Sequence, residues 1–106
     1  MAISLRIEGR AHGVIRDTSG LSLEALDALA IMVSQADQAS LLHGIDPYSD
    51  TMFNMVQLKR LLRETAAVDG RNDAEWEALE GIREAAEEAI RACGYLWFIG
   101  DLLTDS

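Results

Sequence analysis

The chain has 106 residues and a formal net charge of −9, because nine Lys and Arg stand against 18 Asp and Glu. Its composition is 49% hydrophobic, which is enough for one core and argues against intrinsic disorder over most of the chain. A surplus of carboxylates excludes docking on phosphate backbones or anionic lipid, since such partners are bound through Lys and Arg. We expect a single domain over residues 1–106 whose partner is a basic protein. We expect it to bind neither nucleic acid nor a membrane.

The cysteine count and the N-terminal residues indicate the cellular compartment. Cys93 is the only cysteine, so an intrachain disulfide and a cysteine zinc site are excluded. Charges at Arg6, Glu8 and Arg10 come before any apolar stretch long enough for a signal peptide. The longest apolar run, 95–99, is far below the roughly 20 residues that cross a bilayer. The sequence therefore predicts a cytoplasmic protein.

The N-terminal segment has the pattern of a strand. Ile3, Leu5 and Ile7 alternate with polar residues, which predicts a strand that is buried on one face. Val14 and Ile15 follow a glycine-flanked turn, and their spacing fits either a hairpin partner or a continuation of the strand across a bulge.

Two helices are predicted in the middle of the chain. Apolar residues three or four apart predict a helix over 23–37, with Ser22 as its N-cap. A second amphipathic pattern predicts a helix from about 52 to 67, capped by Asp50 or Thr51.

A third helix and a last strand complete the predicted fold. Asn72 is the expected N-cap, with Glu75 reaching back to it, and Gly94 is the expected stop. The run 95–99 predicts a strand buried on both faces, beside the first strand, with Trp97 in the core. The apolar stripe of the third helix, which should be buried, comprises Trp76, Leu79, Ile82, Ala86, Ile90 and Cys93. The fold class is α+β, with a two- or three-stranded sheet packed against about three helices.

Polar residues offer little catalytic chemistry. His12 and His43 lack partners at metal-ligand spacing, which favours structural or surface roles. Asp46 and Asp50 lie in one loop, but the glycine and the closing glutamate of a calcium loop are missing. We therefore predict no catalytic residue, no metal and no cofactor. The alternative is a small carboxylate-site enzyme or metal-binding module, if Asp17, Asp46, Asp50 and Asp101 converge.

The third helix concentrates the negative charge. Eight acids fall between Asp69 and Glu88. Six of them lie off the apolar stripe, namely Asp73, Glu77, Glu80, Glu84, Glu87 and Glu88. These six form either a solvated face or a surface that matches a basic protein. On the second interpretation, the predicted partner-binding residues are Glu77, Glu80, Glu84 and Glu87, together with Asp46 and Asp50. Reversal of the four glutamates to Lys should then leave the fold intact and slow association.

Three segments carry a resemblance to other proteins. Residues 16–21, 44–54 and 95–101 resemble stretches of small uncharacterised bacterial proteins of about this length. In size, acidity and lack of a catalytic motif, the chain is similar to bacterial immunity proteins and to phage-encoded inhibitors such as anti-CRISPR proteins. The resemblance implies no residue roles. The leading hypothesis is a non-enzymatic inhibitor that neutralises a basic toxin, nuclease or nucleic-acid-binding effector, and a homodimeric structural subunit is a further alternative.

Overall fold

Three helices pack on one face of a four-stranded antiparallel sheet, so the predicted α+β class is confirmed and the predicted strand number is too low. The computed structural model describes residues 2–16, 21–46 and 49–101, without the side chains of Ala2 and Asp101. In chain order the elements are β1 (Ala2–Glu8), β2 (Val14–Arg16), α1 (Leu23–Gln35), β3 (Asp50–Phe53), α2 (Met55–Ala66), α3 (Asp73–Arg91) and β4 (Tyr95–Asp101).

The sheet has the strand order β2-β1-β4-β3. β1 and β4 form its centre and pair along their whole length, from Ala2 opposite Asp101 to Glu8 opposite Tyr95. The prediction that the last strand lies beside the first is confirmed. β2 and β3 are the two edges of the sheet.

Of the two structures that the spacing allowed, the hairpin is present, and β2 does not continue β1. The strands pair antiparallel as a hairpin, and the register shifts by one residue between Ile7 and Glu8. The turn is closed by the backbone N–H of Gly9, which donates to the carbonyl of Gly13 at 2.8 Å. The register shift is a bulge within this hairpin.

The predicted start of the second helix, at about residue 52 with Asp50 or Thr51 as cap, is wrong, because a strand precedes the helix. Residues 50–53 pair with β4 as the edge strand β3, and α2 begins at Met55. Its N-cap is Asn54, whose side chain accepts from the N–H of Gln57 at 3.0 Å. The Gln57 side chain accepts from the N–H of Asn54 at 2.9 Å, which completes a capping box. Met52 and Phe53 fit the helical period as well as an extended one, so the pattern alone could not locate this boundary.

The predicted caps of the other two helices are confirmed. The hydroxyl of Ser22 accepts from the N–H of Ala25 at 3.1 Å, and the side chain of Asn72 accepts from the N–H of Glu75 at 2.9 Å. α1 ends at Gln35, two residues before the predicted end. Glu75 does reach back, but its carboxylate accepts from the N–H of Arg71.

The core lies between the helices and the sheet face that carries Ile3, Leu5 and Ile7. Phe98 of β4 packs edge-on against Phe53 of β3, with 5.6 Å between ring centroids. The largest fully buried side chains are Phe98, Ile3, Leu29, Ile45, Leu58, Leu61, Ile82 and Leu96. They come from all three helices, the central strands and the loop before β3, which makes this a single core.

Three burial predictions are wrong. β4 is buried on one face only, since Leu96 and Phe98 are inside while Trp97 is only partly buried. Trp76 is 50% exposed and lies against Gly70, and Cys93 is exposed. Trp76 lies in the first turn of α3, and Cys93 follows the end of this helix with a φ of 52°, so its side chain no longer continues the helical stripe.

Candidate functional site

The sheet face opposite the helices carries a row of side chains that crosses three strands. The register places Arg6 opposite Trp97, and Trp97 opposite Met52. Successive side chains alternate between faces, so this row points away from the core face that carries Leu96 and Phe98. We call this surface the open face, formed by Ser4, Arg6, Glu8, Met52, Tyr95, Trp97 and Ile99.

The open face is unusually apolar over β4 and β3. Antiparallel sheets with helices on one side commonly present polar residues on the other. Here the polar residues lie on β1 and at Asp50, the first residue of β3, while β4 presents Tyr95, Trp97 and Ile99, which are only partly buried. Met52 on the edge strand is 38% exposed. Aromatic residues and Met are enriched at protein interfaces, so this composition is typical of a binding surface.

One end of the open face is built by Glu8, His12 and Tyr95. His12 has a φ of 66°, in the left-handed region, and this turn geometry folds its ring back over the sheet. The ring stacks on Tyr95 with 4.4 Å between centroids and 8° between planes. Its Nδ1 lies 3.0 Å from Oε1 of Glu8. The sequence interpretation of His12 as structural fits these contacts.

Glu8 is a nearly buried carboxylate, with 8% of the residue exposed. The hydrogen bond from His12 lowers the pKa of the Glu8 carboxyl below its ordinary value against the opposing effect of burial, and Trp97 and Arg6 lower it further. The indole Nε1 of Trp97 is itself buried and has no hydrogen-bond partner of good geometry in the described chain. The indole N–H of Trp97 therefore stabilises the Glu8 carboxylate by electrostatic attraction, without a hydrogen bond of good geometry. Glu8 is a fixed negative charge at neutral pH.

The first predicted partner-binding residue, Glu77, has a structural role. Its Oε2 accepts from the backbone N–H of Ser22 at 2.8 Å, and its Oε1 accepts from the Ser22 hydroxyl at 3.0 Å. The carboxylate thus joins α3 to the N-terminus of α1, where a negative charge is favourable. The expectation that Glu77 can be reversed without harm to the fold does not fit this contact.

The other predicted glutamates of α3 lie among cations. Glu80 forms an ion pair with Arg83. Glu84 and Glu87 border a depression of about 330 Å³ whose lining also includes Arg16 and Arg91. Arg16, Arg83 and Arg91 reduce the negative potential around these glutamates, because neighbouring opposite charges offset one another. Glu88, also in this lining, is paired with Arg16 at 2.8 Å.

Asp46 and Asp50 lie at the other edge of the sheet. Oδ2 of Asp46 accepts from the Ser49 hydroxyl at 2.8 Å, and the N–H of Asp46 donates to the Thr51 hydroxyl at 3.0 Å. Asp50 is exposed and opens the edge strand β3. The depression bordered by Glu84 and Glu87 includes Arg16 of β2, which is the opposite edge strand of the sheet. The structure therefore divides the predicted binding residues between two regions.

The alternative of a carboxylate site built by Asp17, Asp46, Asp50 and Asp101 involves two side chains that the structure does not describe. Asp17 lies outside the described residues, and of Asp101 only the backbone is described, paired opposite Ala2. Within the described side chains, no group of three His, Cys, Asp or Glu residues is arranged to hold a metal ion. No helix among the described residues is both long and apolar enough to cross a membrane.

Sequence reasoning missed the open face and the contact of Glu77 with Ser22. The run 95–99 is apolar throughout, so it gave no sign that its odd-numbered side chains face outward. A signal was present in Ser4, Arg6 and Glu8, because the polar face of β1 continues onto the strand beside it. Comparison with protein-family models, with curated proteins and with solved structures finds no match for this chain.

Proposed function

We propose that this chain is a non-enzymatic binding protein that docks a basic protein on its open face and so inhibits that partner, which we take to be a toxin, a nuclease or a nucleic-acid-binding effector. The observation that carries the proposal is the row Arg6, Trp97 and Met52 on the sheet face opposite the helices. Interfaces draw most of their energy from a few central aromatic side chains surrounded by polar residues.

The arrangement of the open face supports this proposal. Tyr95 and Trp97 lie partly buried in the central strand β4, and Tyr95 stacks on His12, so less side-chain freedom is lost when a partner covers them. Glu8 beside them is ionised, and Asp50 is an exposed carboxylate at the edge strand. An apolar centre with the exposed carboxylate of Asp50 at its border favours a partner surface with an apolar patch and a basic neighbour.

Charge favours a basic partner over a second copy of this chain. Two copies would bring together two molecules that each carry −9, and this repulsion opposes association. The same charge attracts a basic protein from a distance and raises its association rate at low salt. In this proposal the exposed Glu84 and Glu87 steer the encounter, and the open face supplies the contact.

The test compares two exposed apolar residues. Met52→Arg places a cation on the open face, while Val56→Arg places the same cation on α2, where Val56 is 77% exposed. A partner recovered with the wild-type protein is purified and its affinity for each variant is measured by calorimetry. We expect Met52→Arg to weaken binding by about tenfold and Val56→Arg to leave it nearly unchanged.

Other outcomes would contradict the proposal. Equal affinity for both variants would remove the open face from the interface. An acidic partner, or association that does not slow as salt rises, would remove the electrostatic argument. A wild-type dimer that Met52→Arg dissociates in light-scattering measurements would favour the homodimeric alternative instead.

A further inference from the structure

A cleft of about 620 Å³ opens on the helical side of the molecule, away from the open face. Its walls are the end of α1, the loop that follows it, the C-terminal half of α2 and the segment that leads into α3. Met32, Leu42 and Val68 give it an apolar lining. This volume and lining are within the usual range of sites for small molecules or single inserted side chains.

One wall of the cleft already holds a guanidinium group. Arg71 donates to Oε2 of Glu75 from Nε at 3.1 Å and from Nη2 at 2.8 Å, and the same Nη2 donates to Oε1 of Gln35 at 2.8 Å. Glu75 is 4% exposed, and its pKa is lowered by the hydrogen bonds from Arg71. This pair is balanced in charge and fixed in position by its forked geometry.

The remaining charges of the cleft are negative. Glu64 is balanced by Arg60, whose Nε donates to its Oε2 at 2.8 Å. Oδ1 of Asp37 accepts from the backbone N–H of Ala39, and the carbonyl of Ala39 accepts from Nη2 of Arg60 at 2.7 Å. Asp69 is exposed at the rim. Apart from Arg71, no cation belongs to the lining of the cleft in the described chain. The cleft therefore combines an apolar interior with two carboxylates, Asp37 and Asp69, that form no ion pair in the described part of the chain, while the nearby Arg60 is paired with Glu64.

We propose that this cleft binds the cationic end of an aliphatic chain, a primary amine or guanidinium carried on several methylenes. The methylenes would cover Met32, Leu42 and Val68, and the cation would lie between Asp37 and Asp69 at the rim. Such side chains bury their stems and keep the charged head near water, which matches this division of the cleft. Anionic ligands are disfavoured because the charge that remains unbalanced is negative. The inference is independent of the partner proposed for the open face.

The test uses three probes of similar length on the intact protein, followed by ¹⁵N–¹H NMR. We expect hexylammonium to shift the backbone amides around Val68 and Leu42 in a saturable manner, and hexanol and hexanoate to bind far more weakly. Asp37→Asn and Asp69→Asn together should weaken the binding of hexylammonium by about three- to fivefold, which is typical of exposed charge pairs. Asp27→Asn on α1 is the control, because Asp27 is exposed and outside the lining.

A second pair of probes distinguishes the two sources of such a cation. Tighter binding of Nα-acetyl-lysine N-methylamide than of hexylammonium would identify a side chain of another protein as the occupant, and the reverse order would identify a free amine. Equal binding of hexanol and hexylammonium, or equal loss in the Asp27→Asn control, would overturn the proposal. Shifts confined to Tyr95 and Trp97 would also overturn it, because the cation would then occupy the open face.

Discussion

The carboxylate of Glu77 accepts two hydrogen bonds from Ser22, one from its backbone N–H and one from its hydroxyl. These residues are 55 positions apart, so the contact fixes the start of α1 against the first turns of α3. The same hydroxyl caps α1 by accepting from Ala25. One side chain of the acidic helix thus contributes to folding rather than to a partner surface.

The first prediction concerns this contact. Glu77→Ala should destabilise the protein by about 1 kcal/mol, because Ser22 loses both acceptors at an exposed site where water replaces part of the interaction. Glu84→Ala is the matched control on the same helix, and we expect little change. Urea unfolding of both variants measures the difference. Equal midpoints would show that the contact contributes nothing.

The second prediction concerns Gly94, which precedes β4. A Cβ at this position would lie 1.9 Å from the carbonyl oxygen of Glu8, and a backbone oxygen in a central strand cannot move aside. Gly94→Ala should therefore cost on the order of 3 kcal/mol or more.

Gly13→Ala provides the control, since a Cβ there would meet no heavy atom within 4 Å. Circular dichroism melts of both variants test the pair. A normal melt for Gly94→Ala would mean that β1 and β4 do not approach as closely as described.

The third prediction ranks three aromatic residues. Phe98 is fully buried, Trp97 is partly covered on the open face, and Trp76 is half exposed against Gly70. We expect Phe98→Ala to cost about 3–5 kcal/mol, Trp97→Ala roughly half of that, and Trp76→Ala on the order of 1 kcal/mol. Chemical denaturation followed by circular dichroism avoids the loss of the fluorescent probe. A Trp76→Ala variant as unstable as Phe98→Ala would contradict the order.

The fourth prediction is a loss of stability in acid that depends on Glu75. Its folded pKa is lowered by Arg71, so the stabilisation is fully present above the unfolded value and is lost as pH falls through the lower folded one. Glu75→Gln should be less stable than wild type at neutral pH, and the difference should shrink as pH falls below about 4.5, the ordinary pKa of an unfolded glutamate, until the folded carboxyl takes up its proton at lower pH.

Denaturant titrations at several pH values measure this difference. Glu84→Gln serves as a control for general effects of charge. A gap between wild type and Glu75→Gln that stayed constant from neutral pH to about pH 3 would show that the ion pair with Arg71 does not supply the stability.

Local patterns predicted those features that depend on near neighbours in the chain. Ser22 and Asn72 were correctly identified as caps because a cap acts within three residues. The boundary before α2 was missed, because Met52 and Phe53 become a strand only through pairing with Trp97 and Leu96 of the distant β4.

The candidate site depended even more on distant contacts. An apolar run such as 95–99 does not show which of its faces is covered. Leu96 and Phe98 are buried because the helices pack on their side of the sheet. The cleft brings the end of α1 and the loop after it against the end of α2 and the start of α3, from which β3 separates them in the chain. Charge counting found the acidic helix but could not show that Glu77 is already occupied by Ser22.

The pairing of β1 with β4 sets the order in which this protein can fold. Ala2 lies opposite Asp101, so the central pair of the sheet joins residues that are separated by almost the whole chain. Contacts of such high order slow folding, because a large loop must close before they form. On the ribosome, α1, α2 and α3 emerge before β4, and their apolar faces lack this central strand until Tyr95 and the residues after it are synthesised. A nascent chain halted before β4 should therefore expose helix surfaces that bind chaperones, and release of the last strand should end that interaction.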